Sequence, residues 1–191
     1  MSRDQASGPP SVTQSVAVSI VAAYSYPGSM SRPPASVRSS VPAPQLAAWR
    51  ALLDAHARTT EVLARELRDE AGLPLPWYDV LLHLNESPER RLRMQELADK
   101  VLLSKSGLTR LVDRMEREGL VTRSACPEDR RGTFAELTPE GKDRLRATAP
   151  THLRGVREHV ADLLDDEEAA TLERLLRRIA DAARAASRDA S

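Results

Sequence analysis

The stretch "RLRMQELADKVLLSKSGLTRLVDRMEREGL", residues 91–120, holds two helical patterns back to back, and the rest of the chain is read outward from it. Met94, Leu97, Ala98 and Val101 recur at three and four residues, which predicts a helix over 94–101 after a short extended piece at Arg91–Arg93. Ser104 is placed as an N-cap, and Leu108, Leu111, Val112 and Met115 follow at i, i+3, i+4 and i+7. A second helix is therefore predicted over 104–118, ended by Gly119. Two helices joined by so tight a turn form a helix-turn-helix. Next, "LVTRSA" and "TFAELT" alternate with period two, and the Pro, Asp and Gly of "CPEDRRG", residues 126–132, are turn formers. That pattern predicts a β-hairpin, or wing.

With the apolar stripe of helix 104–118 turned inward, about 100° per residue puts Ser106, Thr109, Arg110, Asp113 and Arg117 outward. The N-terminal half of this face is small and cationic. It suits a major groove about 12 Å wide, where arginine pairs bidentately with guanine and small side chains allow close approach. Ser104 and Lys105 stand at the helix start, where a lysine and free amides hold phosphates. Asp113 would be repelled by phosphate and is expected to pair with Arg117 at i,i+4. On this helix alone, a merely solvated surface reads equally well. The wing breaks the tie: Arg130 and Arg131 at a hairpin tip support no core but suit the negative potential of a minor groove, with Asp129 orienting Arg131.

Around this centre the chain is helical. Leu46, Trp49, Leu53, His56, Thr60, Leu63 and Leu67 line one face of a helix from Gln45 to near Gly72. Pro74 and Pro76 open another helix, with Val80, Leu81 and Leu84 buried. Thr138-Pro139 starts a long helix, and Asp165 with Glu168 makes a capping-box start to a last one carrying Leu172, Leu175, Leu176, Ile179 and Ala183. These stripes exceed what a small winged unit can cover, so a second copy of the chain is the expected cover. Residues 1–44 hold seven of the thirteen prolines and no lasting period, which predicts a disordered Pro/Ser-rich tail, with Met30 as an alternative start. The expected division is 1–44 tail, 45–73 and 138–186 dimerisation helices, and 74–137 a winged helix-turn-helix.

Composition narrows the function. The net charge is zero, yet residues 90–132 carry eleven Lys and Arg against seven Asp and Glu, so attraction to a polyanion has to be local. One cysteine, Cys126, excludes an intrachain disulfide and fits a reducing cytoplasm; a redox switch there lacks a resolving partner, so a passive thiol is expected. The apolar run Val16–Tyr24 is too short to span a bilayer and makes a poor signal peptide. His56, His83, His152 and His159 show no compact ligand spacing, so neither a metal nor any other cofactor is expected. No nucleophile–base pair or phosphate-cradling glycine loop supports an enzyme.

"LADKVLLSKSGLTRLVDRMEREGLVTR", the wing "PEDRRG" and the following "AELTPEG" resemble the MarR family of winged helix-turn-helix regulators, over about residues 45–186. The resemblance implies a mainly α, α+β fold with a small antiparallel sheet and long terminal helices interlocked in a homodimer. It also implies a repressor of transcription whose helix 104–118 enters the major groove of a pseudo-palindromic operator while the Asp129/Arg131 wing enters the minor groove. A small phenolic or lipophilic ligand, or an oxidant, would release the DNA. Thr138 to Gly141 match the family's junction between wing and dimerisation helix, a structural role. The long tail and Arg93, in place of a hydroxyl cap on helix 94–101, depart from the pattern. For a ligand pocket the candidates are Trp49, His56, Trp77 and Tyr78, with His83 nearby, although such residues are more often simply core. An adaptor that keeps the fold without binding DNA is the alternative, and a winged unit serving a transferase leaves too little chain for a catalytic domain.

Overall fold

The protein is described by a computed structural model over residues 41–126 and 129–189; the side chains of residues 129–131 and 187–189 lie outside that description. The expected tail falls outside it up to residue 40, as does Met30. The chain divides into two compact units, residues 1–61 and 62–191. In the first, the described residues belong almost wholly to helix α1 (Ala43–Ala71), which starts slightly ahead of the expected Gln45. There an exposed Arg58 pairs with Asp54 at 2.8 Å, one turn apart.

The second unit holds the end of α1, then α2 (Leu75–Glu86), β1 (Arg91–Arg93), α3 (Met94–Lys100), α4 (Lys105–Arg117), β2 (Val121–Cys126), β3 (Asp129–Leu137), α5 (Pro139–His159) and α6 (Asp166–Asp189). Short 3-10 turns lie at Pro88–Arg90 and Ala161–Leu163. Local chemistry explains the boundaries. Gly72, at φ +61°, takes the left-handed step after α1. Arg144 of α5 donates to the carbonyls of Ala71 and Gly72 at 2.8 and 3.1 Å, satisfying acceptors that no later turn of helix can reach. Pro76 sits in the first turn of α2. Arg93 has no acceptor to offer α3, and Glu96 compensates by accepting from the Arg93 amide at 3.1 Å. Asp165 and Glu168 accept from each other's amides at 2.8 and 3.0 Å, completing the capping box expected ahead of α6.

The sheet is antiparallel in the order β1-β3-β2, so the extended piece at Arg91–Arg93 joins the wing as an edge strand. Leu92, Val121, Cys126 and Ala135 are its buried residues among those described. β3 begins at Asp129, earlier than the expected Thr133. Register passes from Ala125↔Thr133 to Cys126↔Asp129, so residues 130–132 form a bulge opposite a single step of β2. A bulge inserts residues without ending the ladder, which is why the pairing continues where alternation in the sequence stops.

The core of this unit joins Leu67 of α1, Val80, Leu81 and Leu84 of α2, Leu97 of α3, and Leu108, Val112 and Met115 of α4. Each is fully buried, and burying such a side chain contributes roughly 1.5–3 kcal/mol. Met94 and Val101, predicted inward, are half-buried against the same core. α5 crosses the end of α1 closely: a Cβ at Gly155 would lie 2.7 Å from Leu63 and 2.6 Å from Glu66. α6 differs. Its Leu172, Leu176 and Ile179 remain 41%, 37% and 51% exposed, so the stripe predicted there is not covered by the described residues.

Candidate nucleic-acid interface

Helix α4 separates its two faces sharply. Leu108, Leu111, Val112 and Met115 are buried, while Ser104, Lys105, Ser106, Thr109 and Arg110 are exposed. The Ser104 hydroxyl accepts from the Gly107 amide at 3.1 Å and lies 3.3 Å from the Ser106 hydroxyl. This cap engages one amide of the first turn, leaving those of Lys105 and Ser106 ahead of the first intrahelical bond, Leu108 to Ser104. Thr109 spends its proton on the Lys105 carbonyl at 2.8 Å, so its methyl and remaining lone pairs are what it offers outward. Among the described residues Arg110 makes no ion pair. The turn ahead of α4 passes through Leu102, at φ +55° and 85% exposed.

Asp113 does not pair with the Arg117 side chain as expected; Arg117 instead donates to the Asp113 carbonyl at 3.3 Å. The Asp113 carboxylate meets Arg123 of β2 at 2.7 Å. Arg123 also pairs with Glu116 at 2.8 Å and donates to the Thr109 carbonyl at 3.2 Å, while its amide donates to Glu116 at 3.1 Å. One guanidinium thus ties three turns of α4 to the wing, and a planar fork with five donors can do this where an ammonium cannot. Its signal in the sequence was an arginine at an alternating strand position, which reads equally well as a solvated residue.

The backbone of Asp129, Arg130 and Arg131 lies in β3, next to the turn with β2; their side chains lie outside the described residues. At the other end of the hairpin, Thr138 donates to the carbonyls of Gly119 and Leu120 at 2.7 and 2.9 Å and accepts from the Gly141 amide at 3.0 Å. A Cβ on Gly141 would stand 2.0 Å from the Leu120 oxygen. The junction between wing and α5 is therefore tight and welded to the C-terminal end of α4. On the sheet, Arg91 and Arg93 stand 4.9 and 5.6 Å from the ring centre of Phe134, within cation–π reach.

The aromatic candidates are separate features. In the first unit Trp49 is 46% exposed and His56 is exposed. In the second, Trp77 is half-buried, and the buried Tyr78 ring stacks on His152 with centres 4.4 Å apart. Burial lowers the His152 pKa from its ordinary value, and its Nδ1 has no hydrogen-bond partner among the described residues. Burial likewise raises the pKa of Tyr78, with the charges of Asp79 and Glu86 adding to the effect. Burial raises that of Asp79 as well, against a smaller lowering by His83. His159 meets Glu66 at 2.6 Å, bridging α5 and α1. Cys126 is a free thiol, 4% exposed. Among the described residues no group of three His, Cys, Asp or Glu side chains is placed to hold a metal ion, and no helix is long and apolar enough to cross a membrane.

Comparison with known proteins adds to this geometry. A family model described as the MarR family matches residues 71–132. The chain is 33% identical over 101 residues to the HTH-type transcriptional regulator MhqR of Bacillus subtilis (strain 168), covering 53% of this chain and 66% of that protein. It is also 33% identical over 97 residues to the HTH-type transcriptional repressor YetL of the same organism, covering 51% of this chain and 58% of that protein. The chain thus spans less than two thirds of either relative's length. Among solved structures, Sco3205, a MarR family transcriptional regulator from Streptomyces coelicolor in complex with DNA, is 41% identical with a TM-score of 0.69, covering 74% of this chain and 89% of that one.

Proposed function

This chain belongs to the MarR family of transcriptional regulators, and from that premise we propose that it is a homodimeric DNA-binding repressor that reads a pseudo-palindromic operator. The observation that carries the proposal is the exposed N-terminal half of α4, small and cationic, whose Arg110 makes no ion pair among the described residues, opposite a stripe that is buried. In the major groove Arg110 addresses base edges, Ser106 and Thr109 allow close approach, and Ser104, Lys105 and the first amides hold phosphate. Arg130 and Arg131, oriented by Asp129, take the neighbouring minor groove. The DNA complex of Sco3205 and the repressor YetL are the similar proteins that favour DNA binding and repression.

The division proposed is residues 74–137 for DNA and 45–73 with 138–186 for dimerisation; the exposed stripe of α6 supports the second assignment. Release of DNA is assigned to a small aromatic or lipophilic molecule rather than an oxidant, because the single cysteine is buried. The half-buried Trp77 beside the Tyr78–His152 stack, whose buried Nδ1 has no partner among the described residues, supports this reading. A cytoplasmic location accords with DNA as partner.

The test is fluorescence anisotropy on the DNA upstream of the chain's own gene, across a salt series. Saturable binding whose logarithm falls linearly with log salt is expected, through counterion release. Absence of any salt-sensitive binding there and in a genome-wide search for bound sites would sink the reading.

A further inference from the structure

A groove of about 310 Å³ opens between the turn Pro88–Arg90 and the start of α5. Three of its lining side chains are cationic: Arg90, Lys142 and Arg146. Its one acid, Asp143, is taken by Arg146 at 3.1 Å. Neither Arg90 nor Lys142 makes an ion pair among the described residues, so two positive charges face this space without compensation. The neighbouring acid that would neutralise Arg90 is engaged elsewhere, since Glu89 binds Arg91 at 2.5 Å. Leu137 and Pro139 add an apolar surface, and the Thr138 hydroxyl is already occupied by Gly119, Leu120 and Gly141.

The backbone that presents Arg90 is strained. Glu89 and Arg90 both sit in the left-handed region, at φ +57° and +55°, where a side chain is disfavoured and glycine is the usual occupant. Two successive non-glycine residues in that conformation, ending on a guanidinium with no ion-pair partner among the described residues, point to a role outside folding. Such cations repel each other, which helps neither the core nor the sheet.

We propose that this groove binds a small phosphate-bearing molecule, the two free cations holding a phosphate monoester and the Leu137 and Pro139 surface its organic part. The charge matches, because a monoester carries about −1.5 to −2 at neutral pH. Arg90 supplies a bidentate fork and Lys142 a point charge, the usual division of labour at phosphate oxygens. DNA phosphate is the less suitable source. The groove lies at the Leu137 end of β3, five steps of the paired β2 ladder from Asp129, or roughly 17 Å. It also adjoins the Gly119 end of α4, roughly 20 Å from Ser104.

The experiment uses the full chain in chloride buffer without DNA, titrated with phenyl phosphate and separately with inorganic phosphate, and followed by calorimetry and amide NMR. One saturable site per chain is expected for phenyl phosphate, with shifts at residues 138–146, weakened about tenfold or more in Arg90→Gly and in Lys142→Ala. Arg90→Gly removes the charge while suiting the backbone, so loss of binding there is not loss of fold; Arg58→Ala serves as the unaffected control. Absence of saturation at about ten millimolar, or equal binding by both variants, leaves an adventitious ion only and overturns the proposal. If the free chain ignores both probes while the two variants lose affinity for operator DNA, the cations hold backbone phosphate and the small-molecule site is wrong. Operator binding by the unaltered chain is measured separately, so the proposed DNA function stands or falls on its own result.

Discussion

Arg110 and Arg123 both belong to the half of the molecule proposed to face DNA, and their surroundings assign them different work. Arg110 is exposed and makes no ion pair among the described residues, so Arg110→Ala is expected to leave the unfolding midpoint unchanged and to weaken operator binding by about 1–3 kcal/mol, relaxing preference at one base position. Arg123 has a side chain only 24% exposed and three partners on α4. Arg123→Met should loosen the helix against the wing: operator affinity falls, yet the salt slope stays as it was, because no phosphate contact is lost. Arg123→Lys should restore little, since an ammonium cannot span Asp113, Glu116 and the Thr109 carbonyl together. A reduced salt slope in Arg123→Met would instead make Arg123 a phosphate ligand. His152 yields a pH prediction. Its pKa is depressed by burial, so the unfolded chain binds the proton more readily, and stability is lost as pH falls through the ordinary value of 6.5 toward the lower folded value. Chemical denaturation at pH 7.5 and 5.5 should show this loss shrinking in His152→Phe, which keeps a ring against Tyr78; an unchanged loss would place the titration elsewhere.

Among the elements, the joint from β3 into α5 sets how the wing and α4 move together. Gly119 and Gly141 flank it for unlike reasons. Gly119 has φ +72° and open space around its Cβ position, so Gly119→Ala should be destabilising by about 1 kcal/mol of backbone strain. Gly141 has helical backbone but lies against the Leu120 carbonyl, so Gly141→Ala should be destabilising by roughly 3 kcal/mol or more, despite alanine's better helix propensity. Urea unfolding of the two variants checks the order; equal losses would mean the junction yields easily. Much of the element plan was legible in the sequence because its signals are local. The stripe of α4, the cap at Ser104, the Asp165–Glu168 box and the extended Arg91–Arg93 each depend on residues a few positions apart. What was not legible depends on contacts distant along the chain or on backbone choices without a side-chain signal. Asp113 found Arg123 across the helix–strand gap rather than Arg117 one turn away, and β3 kept its pairing through a bulge where alternation ceases. The left-handed Glu89, Arg90 and Leu102 occupy positions that a glycine would have announced.

For the whole molecule, net charge and uncovered surface decide together how it acts. On the proposed reading, a chain with no net charge gains DNA affinity from the basic segment around α4 and the wing, and one such footprint gives weak, salt-labile binding. Two copies fixed about one DNA turn apart, roughly 34 Å, make the second contact intramolecular and turn weak half-sites into a specific operator. The surface that would fix them is visible: Leu172, Leu176 and Ile179 follow one another at i, i+4 and i+7 on α6, and Leu153 and Leu163 are 62% and 71% exposed. Since the described residues do not cover this stripe, Leu172→Asp with Ile179→Asp should leave the helical circular dichroism and the second unit's core intact while sedimentation velocity shows monomers. Operator binding by that variant should fall to the level of a single half-site. Inserting about five base pairs between the half-sites should impose the same loss on the unaltered protein, because it turns one half-site to the opposite face of the duplex. A double variant that stays dimeric would move the interface off α6. A protein indifferent to the inserted base pairs would mean that its copies read the DNA independently.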